Sequence, residues 1–319
     1  MHTGKISEIA YKRSVLKKVS EKTENLQVGV DASKIALGDV TMVTSSNCIL
    51  KWFSGCEEYY LKKTFNGIYS SGGQPKFLQL KINIPNDFEE KKFGKIIKAF
   101  DEVAKKEKVI IQQCDVYASD VKAPIIHVDV IGVAHKTYSI NHIKEGMEVV
   151  MAGTVAVGAS AVMTHLHEER LRQKFHSTFV DDCLKIREFI DVSQIADIAK
   201  THNIAYMHNI SDGGVFGASW ELASAVNAGI EIDVNRIPVW QETIEIAEIF
   251  GYNPYMVDGT GAVLMVTKDG TSLVDALQEK GIYADIIGKI TSGKDRVVKN
   301  GDEKRFLEPP RGDEIYNYI

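Results

Sequence analysis

Residues 205–233 read AYMHNISDGGVFGASWELASAVNAGIEID. The stretch predicts a buried strand end, a polar turn, a long helix and a second strand. Ser211-Asp212-Gly213-Gly214 makes the turn. Ser211 is the expected N-cap, because its hydroxyl can accept a free amide proton of the first helical turn. The two glycines let backbone approach a ligand with no side chain in the way. Val215, Ala218, Leu222 and Val226 recur at helical spacing and are expected to face a core. Gly229 stands where a C-terminal cap belongs, and residues 230–233 alternate like a strand. A glycine turn that delivers a helix N-terminus suits an anion, so phosphate is the first ligand to consider. Taken alone, the turn supports the plainer reading of a strand–helix connection.

Composition bounds the rest. A chain of 319 residues suits two domains. Hydrophobic residues at 44% and charged residues at 25% are those of a soluble globular protein. A net charge of −5 gives no reason to expect nucleic acid or an anionic membrane as partner. No apolar run is long enough to span a bilayer, and the opening MHTGKISEIAYKR lacks the apolar core of a secretory signal. Cys48, Cys56, Cys114 and Cys183 form no CxxC pair and no zinc spacing, so reduced structural thiols are expected. Together these features point to the cytoplasm.

Strands and helices interleave in the first half. An amphipathic helix is expected over 5–24, strands over 26–30 and 40–45, and a helix over 57–69. Residues 76–84 alternate strongly and predict a strand; Asp87 is expected to cap a helix reaching Lys106. Strands follow at 109–113 and 125–133. A second half begins near Asn141, with a strand over 148–157 and a helix carrying His165, His167, Glu168 and Glu169. His165 and Glu169 have a spacing that can share a metal, but no third ligand is evident and a solvated helix face is the expectation. Helices at 192–200, 244–250 and 272–280, strands at 262–267 and 283–290, and a hairpin turning at Asn300-Gly301 complete the chain.

Six collinear segments carry a resemblance. They are VGVDASKI (28–35), FNGIYSSGGQPKFL (65–78), VVMAGTVAVGASAVM (149–163), residues 209–233, GYNPYMVDGTGAVLMV (251–266) and IIGKIT with RFLEPPRGDEIY (286–316). The chain resembles the PurM-like superfamily of aminoimidazole ribotide (AIR) synthetase, selenophosphate synthetase, thiamine-monophosphate kinase and the hydrogenase maturation factor HypE. Within it the likeness is greatest to HypE and its AIR synthase-related relatives. The resemblance implies an α/β (α+β) fold with two domains, 1–140 for ATP binding and dimerisation and 141–319 as the C-terminal domain. It implies a homodimer whose first-domain strands join in a shared barrel, with ligand bound between the domains. It implies ATP, and in most members magnesium, used to activate an amide or carbonyl oxygen as a phosphate ester.

The departures matter as much. Ser46 stands where an acid is expected after a threonine, Gly67 follows Asn66 in place of a second acid, and the second-domain motif opens with Asn209 rather than aspartate. Asp115 is displaced by one position. Asp31, Asp115 and Asp212 are the acids left, so magnesium is disfavoured. The chain ends Tyr316-Asn317-Tyr318-Ile319, so a HypE reaction on its own terminal cysteine is not expected. No glycine-rich arm with a catalytic Cys or Lys is evident, although Lys5 follows Gly4.

Two readings stay open. The first is an ATP-binding enzyme acting on a small molecule or partner protein. In it Asp31, Asn66, Ser211, Asp212, Gly213 and Gly214 hold nucleotide, and Asp31 and Asp115 hold metal. The second is a non-catalytic dimeric binding or scaffold relative. His208 could act as a base near neutral pH or rest against backbone. Cys114 could be a nucleophile or inert packing. Arg311 and Asp313 could touch a nucleotide or dock the tail.

Overall fold

The computed structural model describes residues 3–21, 23–310 and 312–319; Arg311 lies outside them. By their contacts the residues form two compact units. One is Asp31–Thr137. The other joins the chain up to Val30 with Tyr138–Tyr318. The 140/141 division follows chain order, whereas by contact the amino-terminal stretch groups with the second half.

The unit of residues 31–137 holds a five-stranded sheet. Its strands are β1 (Ser33–Leu37), β2 (Val40–Ile49), β3 (Gln74–Pro85), β4 (Ile110–Ser119) and β5 (Ile125–Ala134), in the order β1-β2-β5-β3-β4. Only β3 and β4 are parallel, and they are joined by a helix, as a parallel crossover requires. Helix α2 (Cys56–Ser70) is buried along nearly its whole length, with Leu61, Phe65 and Ile68 fully enclosed. Helix α3 (Glu90–Lys106) buries one stripe, Ile96, Phe100 and Ala104, at the four-residue spacing of a single helix face. Val43, Leu78, Leu80, Ile82, Ile126, Val128 and Val130 form the buried side of the sheet. The alternate residues, among them Ile35, Phe77 and His127, lie on an open side.

The larger unit is built on a seven-stranded sheet. Its strands are β6 (Glu148–Ala152), β7 (Ile204–Ile210), β8 (Gly229–Asp233), β9 (Ala262–Thr267), β10 (Ala284–Thr291), β11 (Arg296–Asn300) and β12 (Glu303–Phe306), in the order β12-β11-β8-β10-β6-β9-β7. Central β6 and β9 are apolar apart from Glu148 and Thr267 at their ends, because both faces are covered. Helices α4 (Val157–Arg172), α5 (Ser177–Lys185) and α8 (Gln241–Phe250) pack together, while α6 (Ser193–Ala199) meets α9 (Gly270–Gln278). Helix α7 (Gly214–Val226) packs on β7 and β8.

Several expectations need correction. The helix expected over 5–24 is one α-helical turn, α1 (Glu8–Tyr11), running into a π-helical turn at Lys12–Leu16. Residues 26–30 form turns, not a strand. The N-cap of α7 is Gly213, in the left-handed region, rather than Ser211. Asn227 supplies the left-handed C-cap, and Gly229 instead opens β8. The strand expected to reach 157 stops at Ala152, and Val157 starts α4. A kink at His167, with φ −126° and ψ 25°, falls between His165 and Glu169 and breaks their helical spacing. No helix among the described residues is long and apolar enough to cross a membrane.

Candidate functional site

The site grows from the turn between β7 and α7. Gly213 at φ 85° turns the chain into the helix. Its N–H, the natural anion donor at such a turn, donates to Asp313 Oδ2 at 2.7 Å. The N–H of Gly214 donates to the Ser211 carbonyl at 3.0 Å. The other Asp313 oxygen accepts from Ile315 N at 2.8 Å. A carboxylate from the tail therefore takes the place first assigned to phosphate.

Asp313 does not stand alone. Asp212, Asp258 and Asp313 offer carboxylate oxygens that lie within 4.8 Å of one another. Asp258 and Asp313 are buried, and Asp212 is partly exposed. Asp258 accepts from Thr260 N at 3.0 Å. Burial, then the charges of Asp258 and Asp212, push the Asp313 carboxyl up to about 8, against two backbone N–H groups that hold it down. The trio thus keeps a proton near neutral pH. Three hard oxygens also suit magnesium or calcium, and they are the group of three or more metal-capable side chains found among the described residues. From sequence Asp212 reads as a ligand residue and Asp313 as a residue that touches a nucleotide or docks the tail; Asp258 is not singled out. Asp258 and Asp313 each neighbour a glycine in the chain, a signal too weak to join residues 55 positions apart.

Next to this turn lies a cavity of about 250 Å³ lined by the amino-terminal segment, Asp212, Gly213 and Glu221. Lys5 reaches into its wall and pairs with Glu221 at 2.9 Å. The second Glu221 oxygen lies 3.4 Å from His208 Nε2. Burial pushes the Glu221 carboxyl up, but Lys5 and His208 outweigh it and hold it down at about 2. His208 therefore faces a carboxylate, a partner considered in neither of its two readings. Trp220 Nε1 donates to Glu8 at 2.5 Å, and the Tyr206 hydroxyl donates to the Gly29 carbonyl at 2.7 Å. These contacts tie the amino-terminal segment to α7 and β7.

The remaining residues lie in the smaller unit. Asp31 accepts from Ser70 Oγ at 2.8 Å, at the end of α2. Asn66 is fully buried. Gly67 packs so closely on Ser45 that a Cβ there would collide with its Oγ and lie tight against the Asp31 carbonyl at 3.2 Å. An acid at 67 would require the Ser45 hydroxyl to turn away. Asp115 lies on edge strand β4, accepting from Gln113 Nε2 at 2.9 Å. The Asp31 carbonyl bonds Ser45 of β2, which stands three places from β4 in the sheet. Neither Asp31 nor Asp115 belongs to the group of three or more metal-capable side chains found among the described residues. Cys114 is exposed, and burial of its sulfur followed by the Asp115 charge raises its thiol above the ordinary value. That is the wrong direction for a nucleophile.

Comparison with known proteins bears on the fold. Residues 144–300 match the family AIR synthase related protein, C-terminal domain. A Methanocaldococcus jannaschii protein named for hydrogenase expression and formation is 26% identical, over 98% of this chain and 96% of its own. The HypE–HypF complex contains a chain that superposes with a TM-score of 0.74 at 20% identity, covering 94% of this chain and 99% of that one. A HypE solved in complex with ATP superposes with a TM-score of 0.68 at 14% identity, covering 95% and 92%. Residues 144–300 thus carry an AIR synthase related C-terminal domain, and the chain as a whole is similar in sequence to a hydrogenase expression/formation protein and in fold to HypE.

Proposed function

We propose that this HypE-like protein binds ATP or another phosphate-bearing ligand, and that its magnesium site is degenerate, so that turnover is weak or absent. One observation carries the reading: the fold is shared over nearly the whole chain with a HypE in complex with ATP, yet Ser46, Gly67 and Asn209 are neutral where the family resemblance expects acids. The ligand's phosphates would meet Lys5 and the Gly213 turn. The cavity wall also carries Glu8, Asp212 and Glu221. A triphosphate entering there needs a cation of its own, and an ion arriving with it would meet Asp212 first. Where turnover occurs, an amide or carbonyl oxygen attacks the γ-phosphorus, an O–P bond forms, the bond to ADP breaks, and a phosphate ester results.

A non-catalytic dimeric binding or scaffold role is the second reading. The tail carboxyl of Asp313 on Gly213 N–H favours it, since that donor is already taken. Edge strand β4 exposes Ile110, Val116 and Tyr117, which supports pairing with a second copy. Hydrogenase maturation, with a partner protein as substrate, is the pathway that the HypE likeness favours. Calorimetry with ATP, with and without magnesium, followed by an ATPase assay separates the readings. Binding with little turnover supports the first. Tight magnesium-dependent binding with turnover defeats the degenerate site, and no binding in either condition leaves the scaffold.

A further inference from the structure

We propose that a second cavity in the larger unit binds a small planar anion, a ring that bears a carboxylate or a phosphate. The cavity, of about 520 Å³, is lined by the β11–β12 hairpin, the turn after β8 and Tyr255. Small-ligand pockets run from about 300 to 1,000 Å³. It shares no lining residue with the cavity beside Gly213 that the nucleotide reading uses. Ile237 and Val298, both buried, give it an apolar lining. Tyr255 adds an aromatic wall. Its ring stacks on Phe216, with centroids 5.3 Å apart and planes 15° from parallel. The Phe216 N–H donates to the Tyr255 carbonyl at 3.1 Å, so the first turn of α7 fixes the pair. Tyr255 is only partly buried, which leaves ring surface for a further planar group.

The cations set the sign of the ligand. Lys304 and Arg305 line the cavity against a single acid, Glu303. The Arg305 guanidinium lies 5.5 Å from the centre of the Phe216 ring, and the cation–π attraction steadies it there. Its N–H groups make no hydrogen bond or ion pair among the described residues. A planar fork of unspent donors beside an aromatic wall suits a carboxylate or phosphate whose own ring lies on Tyr255. Lys304 likewise has no ion pair among the described residues. Its cross-strand neighbour is Lys299, whose ammonium is taken by Glu231 at 2.5 Å. Like charges placed opposite each other cost stability, and an anion at Lys304 relieves that cost. Glu303 is the group that opposes the ligand, so its neutralisation strengthens binding.

Ligand-observed NMR titration of the full chain tests this. The probes are anthranilate and phenyl phosphate. The controls are aniline, a ring without the charge, and acetate and inorganic phosphate, anions without the ring. The expected result is that a probe binds, the tighter of the two identifying the anionic group, and that each control binds about tenfold more weakly or worse. Arg305→Ala weakens the probe about tenfold, and Arg305→Lys restores only part of the loss, because an ammonium lacks the fork. Tyr255→Leu weakens it as well, and Glu303→Gln tightens it. Lys5→Ala, in the other cavity, leaves it unchanged, so failure here is distinct from failure of the nucleotide reading. No binding at about 10 mM probe, controls that bind as well as the probes, or unchanged affinity in Arg305→Ala would overturn the proposal. Arg305 and Glu303 are exposed, so their variants test the site even if the Tyr255 variant folds poorly.

Discussion

Asp313→Asn isolates the proton held by the aspartate trio. Asparagine keeps the shape of the protonated acid and cannot ionise. The Asp313 carboxyl sits at about 8 in the folded protein against an ordinary 3.8. Between those values the native state holds a proton that the unfolded chain has lost. Native stability then falls as pH rises, by about 1.4 kcal/mol per pH unit for one proton. From pH 5 to pH 7 the wild type loses about 2–3 kcal/mol relative to the variant. The loss ends near pH 8, where the folded carboxyl also ionises. Glu221, held at about 2, acts with the opposite sign, losing its contribution as pH falls from 4.5 toward 2. It is ionised throughout this window and cancels between the two proteins. The assay is urea unfolding of both chains at pH 5, 6 and 7, followed through Trp220 and Trp240. If the two pH profiles run parallel to within about 0.5 kcal/mol, the trio holds no such proton.

Glu221→Gln removes the buried partner of Lys5 and His208; it costs about 1–3 kcal/mol at pH 7 and speeds tryptic cleavage at Lys12, Lys17 or Lys18 in the amino-terminal segment. Equal digestion rates in the two proteins would show that Glu221 does not hold that segment. Gly29→Ala places a Cβ 2.5 Å from the Glu221 carbonyl at a φ of +81°, so a loss of more than about 1 kcal/mol is expected in the same unfolding assay. Phe65→Ala empties the core beneath the five-stranded sheet, where the ring is fully buried, and costs about 3–5 kcal/mol by thermal or urea unfolding.

What the sequence revealed follows from the range of the forces involved. The strand over 262–267 was legible to the residue, because five successive apolar residues before Thr267, covered on both faces, read as a buried strand. The helix after the glycine turn was legible from its apolar spacing, while its caps were not: local chemistry favoured Ser211 and Gly229, and the backbone uses Gly213 and Asn227. The amino-terminal segment misled for a physical reason. Its pattern is amphipathic, but its shape is set by Glu8 on Trp220 and Lys5 on Glu221, contacts more than 200 residues apart. The same holds at the site. Asp212 was visible because it sits in a turn, whereas Asp258 and Asp313 reach it only through folding, and no periodicity marks them.

The carboxylate of Asp313 on the Gly213 amide has one more consequence. A ligand aimed at that amide competes with a rival fixed to the same polypeptide, present at a constant effective concentration that dilution cannot lower. Measured affinity for any such ligand is therefore the intrinsic affinity divided by the rival's own occupancy factor. Shortening the chain after Leu307 would disclose the intrinsic value, and the ratio of the two affinities would report how firmly the carboxyl end is seated.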